Sequence, residues 1–187
     1  MPTSEVSGPQ LTVPVGPRDH ALGDEHAAVT LVEYGDFECP QCTRAFPIVQ
    51  QVRVAFGERL RFVYRNFPLT NVHPHAQRAA EAAEWAAGQN AFWQMHDGLY
   101  TNGGRLAESD ILALAERLGL SSGSLRQAWT AHTFIARIKE DFHSGLRSGV
   151  AGTPTFFING VRHEHGWDRE ALSQAIERAA AERAPGG

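Results

Sequence analysis

A chain of 187 residues, 42% apolar and 20% charged, can bury one sizeable core under a charged surface, and lacks the bias of a disordered or fibrous protein. Its formal charge of −4 leaves no basic stripe, so nucleic acid is not an expected partner, and no run approaches the ~18 apolar residues that a membrane span needs. With only two cysteines, a disulfide framework is excluded as well.

The first 27 residues are rich in Pro, Gly and polar groups. Residues 1–17 lack a charged stretch followed by an apolar one, so no export signal is read there. A cytoplasmic location is expected if Met1 is the natural start, and a periplasmic or extracytoplasmic one if a signal peptide was trimmed. Strand character is confined to residues 11–15, where Pro14 suits an edge position, so the segment is expected to be an arm with at most one edge strand. Val29-Thr30-Leu31-Val32-Glu33-Tyr34 reads as a buried strand. It leads through Gly35-Asp36-Phe37-Glu38 to Cys39-Pro40-Gln41-Cys42. From Pro40 the apolar spacing turns helical, with Ala45, Phe46, Val49, Val52 and Phe56 on one face and Gly57 as a stop. Leu60 to Arg65 alternates apolar and polar residues like a strand. Strand, helix and strand make a βαβ unit with a C-x-x-C at the helix start.

The next eighty residues carry only helical signals. An Ala-rich helix is predicted over 75–89 and another over 91–100, broken by Gly103-Gly104. Ile111, Leu114, Ala115 and Leu118 form a stripe that Gly119 ends, and Ser121 caps a helix reaching Trp129. Ile135, Ile138, Phe142 and Leu146 mark one more. Strand signals return at Thr155-Phe156-Phe157-Ile158, with Asn159-Gly160 as a hairpin turn into Val161-Arg162. A last helix is predicted over 169–183, followed by a fraying tail. The expected organisation is an arm over 1–27, an α/β domain over 28–66 and 150–185, and a helical insertion over 67–149.

A disulfide closing so short a loop restricts the unfolded chain little, whereas two thiols in a C-x-x-C can exchange a disulfide with another molecule. Cys39 falls at the helix N-cap with Pro40 at N1, where free N–H groups and the helix dipole favour a thiolate. It is the candidate attacking thiol, and Cys42, one turn in, the resolving one. A zinc site is the competing reading. It needs two further ligands, for which only His73-Pro74-His75 and His163-Glu164-His165 offer imidazoles. Glu33, on an otherwise apolar strand six residues before Cys39, is expected to be buried, to hold its proton unusually tightly and to relay a proton for Cys42. Neutral Gln41 cannot stabilise a thiolate, and Asp36 and Glu38 would raise its pKa. Cys39 is therefore expected to be modestly acidic, with a poise less oxidising than about −120 mV.

The segment from Leu31 to Cys42 resembles the active-site strand and helix start of the DsbA-like thiol–disulfide oxidoreductases. Gly152-Thr153-Pro154-Thr155-Phe156-Phe157-Ile158-Asn159-Gly160 resembles that family's cis-proline loop and following strand. Leu22-Gly23-Asp24 and the intervening helical block also fit, so the resemblance runs from about residue 20 to the end. It implies a thioredoxin fold with an inserted all-helical domain and a cis Pro154 beside the cysteines. It also implies that Thr153 offers backbone hydrogen bonds to an extended substrate and that Glu33 is the family's buried acid. With Thr153 and Pro154, the residues Pro40, Gln41 and Phe37 complete the expected substrate-facing set, and Trp167 is a further rim candidate; a core role is the alternative for both Phe37 and Trp167. Gln41 departs from the histidine that DsbA proteins carry there, so the direction of electron flow stays open.

The reading is a protein disulfide oxidoreductase whose only carrier is the Cys39–Cys42 disulfide, with no other cofactor and no metal. Its expected partners are protein disulfide or dithiol substrates and a redox partner, and it is expected to be a monomer. The alternatives are a non-redox peptide-binding or chaperone-like module, or a metal-binding one. A glutathione transferase or isomerase would not need the second cysteine.

Overall fold

The computed structural model describes residues 8–183, so the frayed tail expected at 184–187 and the first seven residues of the arm lie outside the described residues. Five strands, β1 (His20–Leu22), β2 (Val29–Gly35), β3 (Leu60–Asn66), β4 (Thr155–Ile158) and β5 (Val161–His163), form one sheet in the order β1-β3-β2-β4-β5. β2 and β3 run parallel because α1 (Pro40–Phe56) carries the chain back between them, while the other pairings are antiparallel. The β4–β5 hairpin turns on Asn159 and Gly160, both at positive φ (49° and 83°), as an Asn-Gly two-residue turn requires. Between β3 and β4 lie α2 (Ala76–Ala87), α3 (Phe92–Thr101), α4 (Glu108–Arg117), α5 (Ser122–Thr130) and α6 (Ile135–Arg147), and α7 (Arg169–Arg183) closes the chain. The Ser121 hydroxyl accepts from the Ser124 N–H at 3.2 Å, capping α5.

The period of two along the strands sorts their side chains onto two faces. Val29 and Leu31 of β2, Leu60, Phe62 and Tyr64 of β3, and Phe156 and Ile158 of β4 join one apolar cluster with α1, α7 and residues of α2 to α5. Val32, Tyr34, Val63, Phe67 and Phe157 face the other way, against Phe142 of α6 and Leu11, Val15 and Ala21 of the arm. The first cluster holds both cysteines together with Trp85, Leu99, Ile111, Leu125 and Trp129, so the helices between β3 and β4 share a core with the sheet rather than building their own.

Three features of the structure are not visible in the sequence pattern. The strand of the arm is His20–Leu22, not residues 11–15; it is short and carries a polar His20, which Glu84 satisfies at 2.9 Å. Residues 9–11 instead meet β5, with the Leu11 N–H donating to Gly160 O at 2.8 Å and the Arg162 N–H to Pro9 O at 2.9 Å. The arm therefore crosses the second sheet face from the β5 edge to the β1 edge. Secondly, the polar alternation in β3 does not mark a solvated face. α6 and the arm cover that side, and Arg65 is buried in a two-pronged pair with Asp19, at 2.8 and 2.9 Å. Thirdly, Leu146 is half exposed, and α6 turns Ile138, Asp141, Ser144 and Gly145 inward, a mostly polar face that bonds Asn66 and Tyr34 of the sheet.

Gly145 lets α6 approach the sheet closely, because a Cβ there would lie 2.7 Å from the Phe67 ring and 3.0 Å from Tyr34. Gly145→Val should therefore cost about 1–3 kcal/mol by overpacking, read as a lower urea midpoint at unchanged slope. A midpoint equal to that of the unsubstituted protein would show that α6 can move away freely.

Candidate active site

β2 ends at Gly35, and residues 36–39 turn the chain into α1. Cys39 is the N-cap (φ −69°, ψ 122°) and Pro40 the first helical residue, where the missing N–H costs nothing. The Cys39 N–H donates to Asp36 O at 3.1 Å, and the Cys39 thiol donates to Thr153 O at 3.3 Å. Thr153 and Pro154, joined by a cis peptide bond, thus lie against the sulfur. The Thr153 hydroxyl is buried and has no hydrogen-bond partner among the described residues.

Both cysteines are free thiols, Cys42 fully enclosed and Cys39 5% exposed. Cys39 is held down to about 5, foremost because the Cys42 thiol donates to it. Burial opposes this, while the contact with Thr153 and the N–H groups of Cys42 and Gln41 add to it. Cys42 is pushed far up by burial first, then by the hydrogen bond to Cys39 and the charges of Glu33 and Cys39. Glu33 shares the sheet face of Val29 and Leu31, in register between Tyr64 and Phe156, and so points into the core that holds the cysteines. Burial, followed by the charge of Cys39, raises it to about 8. Two thiols of widely separated acidity above a carboxyl that titrates near neutrality form an acid–base set suited to thiol exchange.

The carboxylates near Cys39 are engaged elsewhere. Asp36 accepts from the Glu38 and Leu69 N–H groups, both at 2.8 Å, and pairs with His73 Nδ1 at 2.7 Å. Glu38 pairs with His75 Nδ1 at 2.9 Å and accepts from the His75 N–H at 2.6 Å. His73 and His75 therefore serve carboxylates, and no cluster of three or more His, Cys, Asp or Glu suited to a metal occurs among the described residues. The matching spacing of Asp36-x-Glu38 and His73-x-His75 was the available sequence signal for this pairing.

Of the substrate-facing set, Pro40 and Gln41 are exposed and Pro154 is half-buried. Phe37 does not belong to it: it is 2% exposed and packs on Tyr64 (5.2 Å between centroids), Tyr100 (5.0 Å) and His96 (5.7 Å). Being aromatic and close to the cysteines, it fitted a rim, but Tyr64, Tyr100 and His96 enclose it in the core. Trp167 is half-buried and, with Pro154, Arg162 and His163, lines a surface pocket of about 320 Å³. A larger groove of about 800 Å³ lies between the arm and α6, beside Arg65, and contains neither cysteine.

The acidity of Cys39 has a direct readout. Its alkylation rate should rise through about pH 5 and level off above it, where an ordinary thiol would rise near 8.5. A pKa lowered by folding also adds stability to the dithiol protein. That stability is complete above the unfolded-state value and is lost as pH falls through about 5. An alkylation midpoint above pH 8 would contradict this geometry.

A family model described as "Thioredoxin" matches residues 16–178. The Na(+)/H(+) antiporter NhaA 1 of Salinispora arenicola is 49% identical over 170 residues, which cover 90% of this chain and 26% of that protein. The chain thus spans about a quarter of the length of the curated relatives it matches. Among solved structures, a thioredoxin-like oxidoreductase from Silicibacter pomeroyi superposes with a TM-score of 0.79 at 29% identity, over 91% of this chain and 95% of that one. The α-DsbA1 of Wolbachia pipientis superposes with a TM-score of 0.75 at 19% identity, over 92% and 96% of the two chains, a likeness of fold.

Proposed function

The chain belongs to the thioredoxin family, with a DsbA-like fold, and from that premise we propose that it is a thiol–disulfide oxidoreductase acting on protein disulfides or dithiols. One observation carries the reading: an N-cap Cys39 held down to about 5, over an enclosed Cys42 and against Thr153-Pro154. At neutral pH Cys39 is the thiolate. It attacks one sulfur of a substrate disulfide, the substrate S–S bond breaks, and the second substrate sulfur leaves as a thiolate that takes a proton from solvent. Forming the mixed disulfide removes the Cys39 charge that helps keep Glu33 protonated, so Glu33 loses its proton to solvent; Cys42 then gives its proton to the Glu33 carboxylate and attacks Cys39 Sγ, releasing the first substrate sulfur as a thiolate. Two electrons pass from the dithiol to the substrate; oxidation of a substrate dithiol is the same sequence reversed. The Cys39–Cys42 bond is the electron carrier, and exposed Pro40 and Gln41 with the Pro154–Trp167 pocket are the surface offered to the substrate.

The name of the Salinispora relative speaks of Na(+)/H(+) exchange. No described helix here is long and apolar enough to cross a membrane. The redox reading is proposed for this chain alone, which matches about a quarter of that protein.

Cys39→Ser tests the proposal. Insulin reduction and refolding of a disulfide-containing client should both fall to the uncatalysed rate; if both survive unchanged, a non-redox binding module is the better reading. Equilibration with glutathione gives the direction, a potential near about −270 mV marking a reductase and near about −120 mV an oxidant. Glu33→Gln separates the proton relay from the thiol step. Ionising a buried acid whose pKa is raised to about 8 costs stability increasingly as pH climbs from the unfolded value of 4.5 towards 8, so the variant should be more stable above neutrality. Resolution of the mixed disulfide should slow by about 10²-fold. An unchanged resolution rate would remove Glu33 from the mechanism.

A further inference from the structure

Asp36 is the hub of the turn that presents Cys39. Its carboxylate is fully buried and takes three donors, the N–H groups of Glu38 and Leu69 and the ring of His73, while its own carbonyl accepts the Cys39 N–H. His73, on the loop entering α2, is the one ionisable donor among these, and its side chain is 18% exposed. A buried carboxylate held only by neutral donors is costly, so the site favours an imidazolium there. We propose that His73 is a positioning residue for thiol exchange: clasped to Asp36, its cation fixes the active-site turn and supplies the positive charge that neutral Gln41 does not.

The groups facing His73 are Asp36 and Glu38 of the turn, and Cys39. Burial works against the imidazolium, but the hydrogen bond and charge of Asp36, followed by the charges of Cys39 and Glu38, hold its pKa above the ordinary histidine value. Coupling is reciprocal. If the Cys39 thiolate helps His73 keep its proton, the His73 proton helps Cys39 keep its charge, and closing the Cys39–Cys42 bond abolishes both effects. The neighbouring His75–Glu38 clasp repeats the chemistry without this consequence: it is 42% and 21% exposed, and Glu38 does not accept the Cys39 N–H, which goes to the Asp36 carbonyl.

The inference rests on the thiol-exchange reading, but its first test does not require a substrate. In the unsubstituted chain, the His73 imidazole followed by NMR should titrate at higher pH in the dithiol form than in the disulfide form. Equal midpoints overturn the proposal. In the second test, His73→Gln should raise the Cys39 titration and shift the equilibrium with glutathione about three- to tenfold towards the disulfide, roughly 15–30 mV more reducing. That difference should be largest between the Cys39 and His73 midpoints and shrink as pH rises through the latter, because the native cation is then lost, or falls through about 5, because the thiolate is then lost. His75→Gln should leave the Cys39 titration in place; equal shifts from the two variants would mean that loop stability alone is read, and would sink the idea. Should His73→Gln fail to fold, the NMR comparison decides. Loss of exchange in no Cys39→Ser assay would defeat the oxidoreductase reading, whereas an active protein with a redox-blind His73 defeats only this one.

Discussion

Cys42→Ser should turn the protein from a catalyst into a trap. Cys39 keeps its helix N-cap, its Thr153 contact and the N–H groups of Cys42 and Gln41 whatever the side chain at 42, so attack on a substrate disulfide continues. No thiol then remains within the protein to break the mixed disulfide, because the chain has only two cysteines. Multiple turnover should fall to background, while a one-to-one adduct through Cys39 accumulates and releases its substrate on addition of dithiothreitol. Cys39 should also become less acidic, since the Cys42 thiol is the largest influence holding it down. Non-reducing electrophoresis and mass spectrometry of the adduct check this. Sustained turnover would mean that external thiols resolve the intermediate and that Cys42 is dispensable.

The second large effect lies on the opposite face of the sheet. Arg65 gives both prongs to Asp19, at 2.8 and 2.9 Å, and further bonds to the Val13 and Pro14 carbonyls and the Tyr34 hydroxyl at 2.9, 3.1 and 2.9 Å. The two side chains are 3% and 8% exposed. Burial pushes the Asp19 carboxyl up, but the Arg65 bond, the Gly16 N–H and the Arg65 charge outweigh it and hold it below its ordinary value. Arg65→Leu strands that carboxylate and frees the arm, and should cost about 3–5 kcal/mol. With a typical urea slope of roughly 1–3 kcal/mol/M, the midpoint falls by about 1–5 M. The pH dependence has a definite sign. In the native chain this pair stabilises above the unfolded Asp value and is lost as pH falls through the lower folded one. In the variant the unpaired Asp19 prefers its proton, so the deficit should shrink on acidification. Asp19→Leu with Arg65→Leu should recover much of the loss; failure to do so would assign it to the arm contacts instead.

Sequence pattern revealed those parts of the fold whose causes are local. The apolar run of β2, the helix beginning at Pro40 and the Asn159-Gly160 turn follow from strand pattern, N1 chemistry and backbone preference, each within a few residues. The burial of Glu33 was also readable, since a strand apolar on both sides of it leaves no wet face. What escaped depends on partners distant in the chain. β1 is only three residues long and owes its place to β3 and to Glu84, 64 residues beyond His20. The polar face of α6 looks solvated until Asn66 and Tyr34 are seen to meet it. Nor do Asp36 and Glu38 stand as free charges beside Cys39, because imidazoles 37 residues away occupy them.

The single apolar cluster running from the cysteines through Trp85, Ile111 and Leu125 bears on how this architecture can be inherited or rearranged. Excising residues 67–149 would not return a minimal thioredoxin; it would uncover the side of the sheet and α1 on which the reactive pair rests. Helical order and thiol reactivity should thus disappear at one urea concentration, as properties of a single cooperative unit. Recombination that exchanges the helical block alone must bring matching residues for Phe37, Phe62 and Tyr64, so variation in substrate preference is more readily acquired at the exposed Pro154–Trp167 rim than by trading helices.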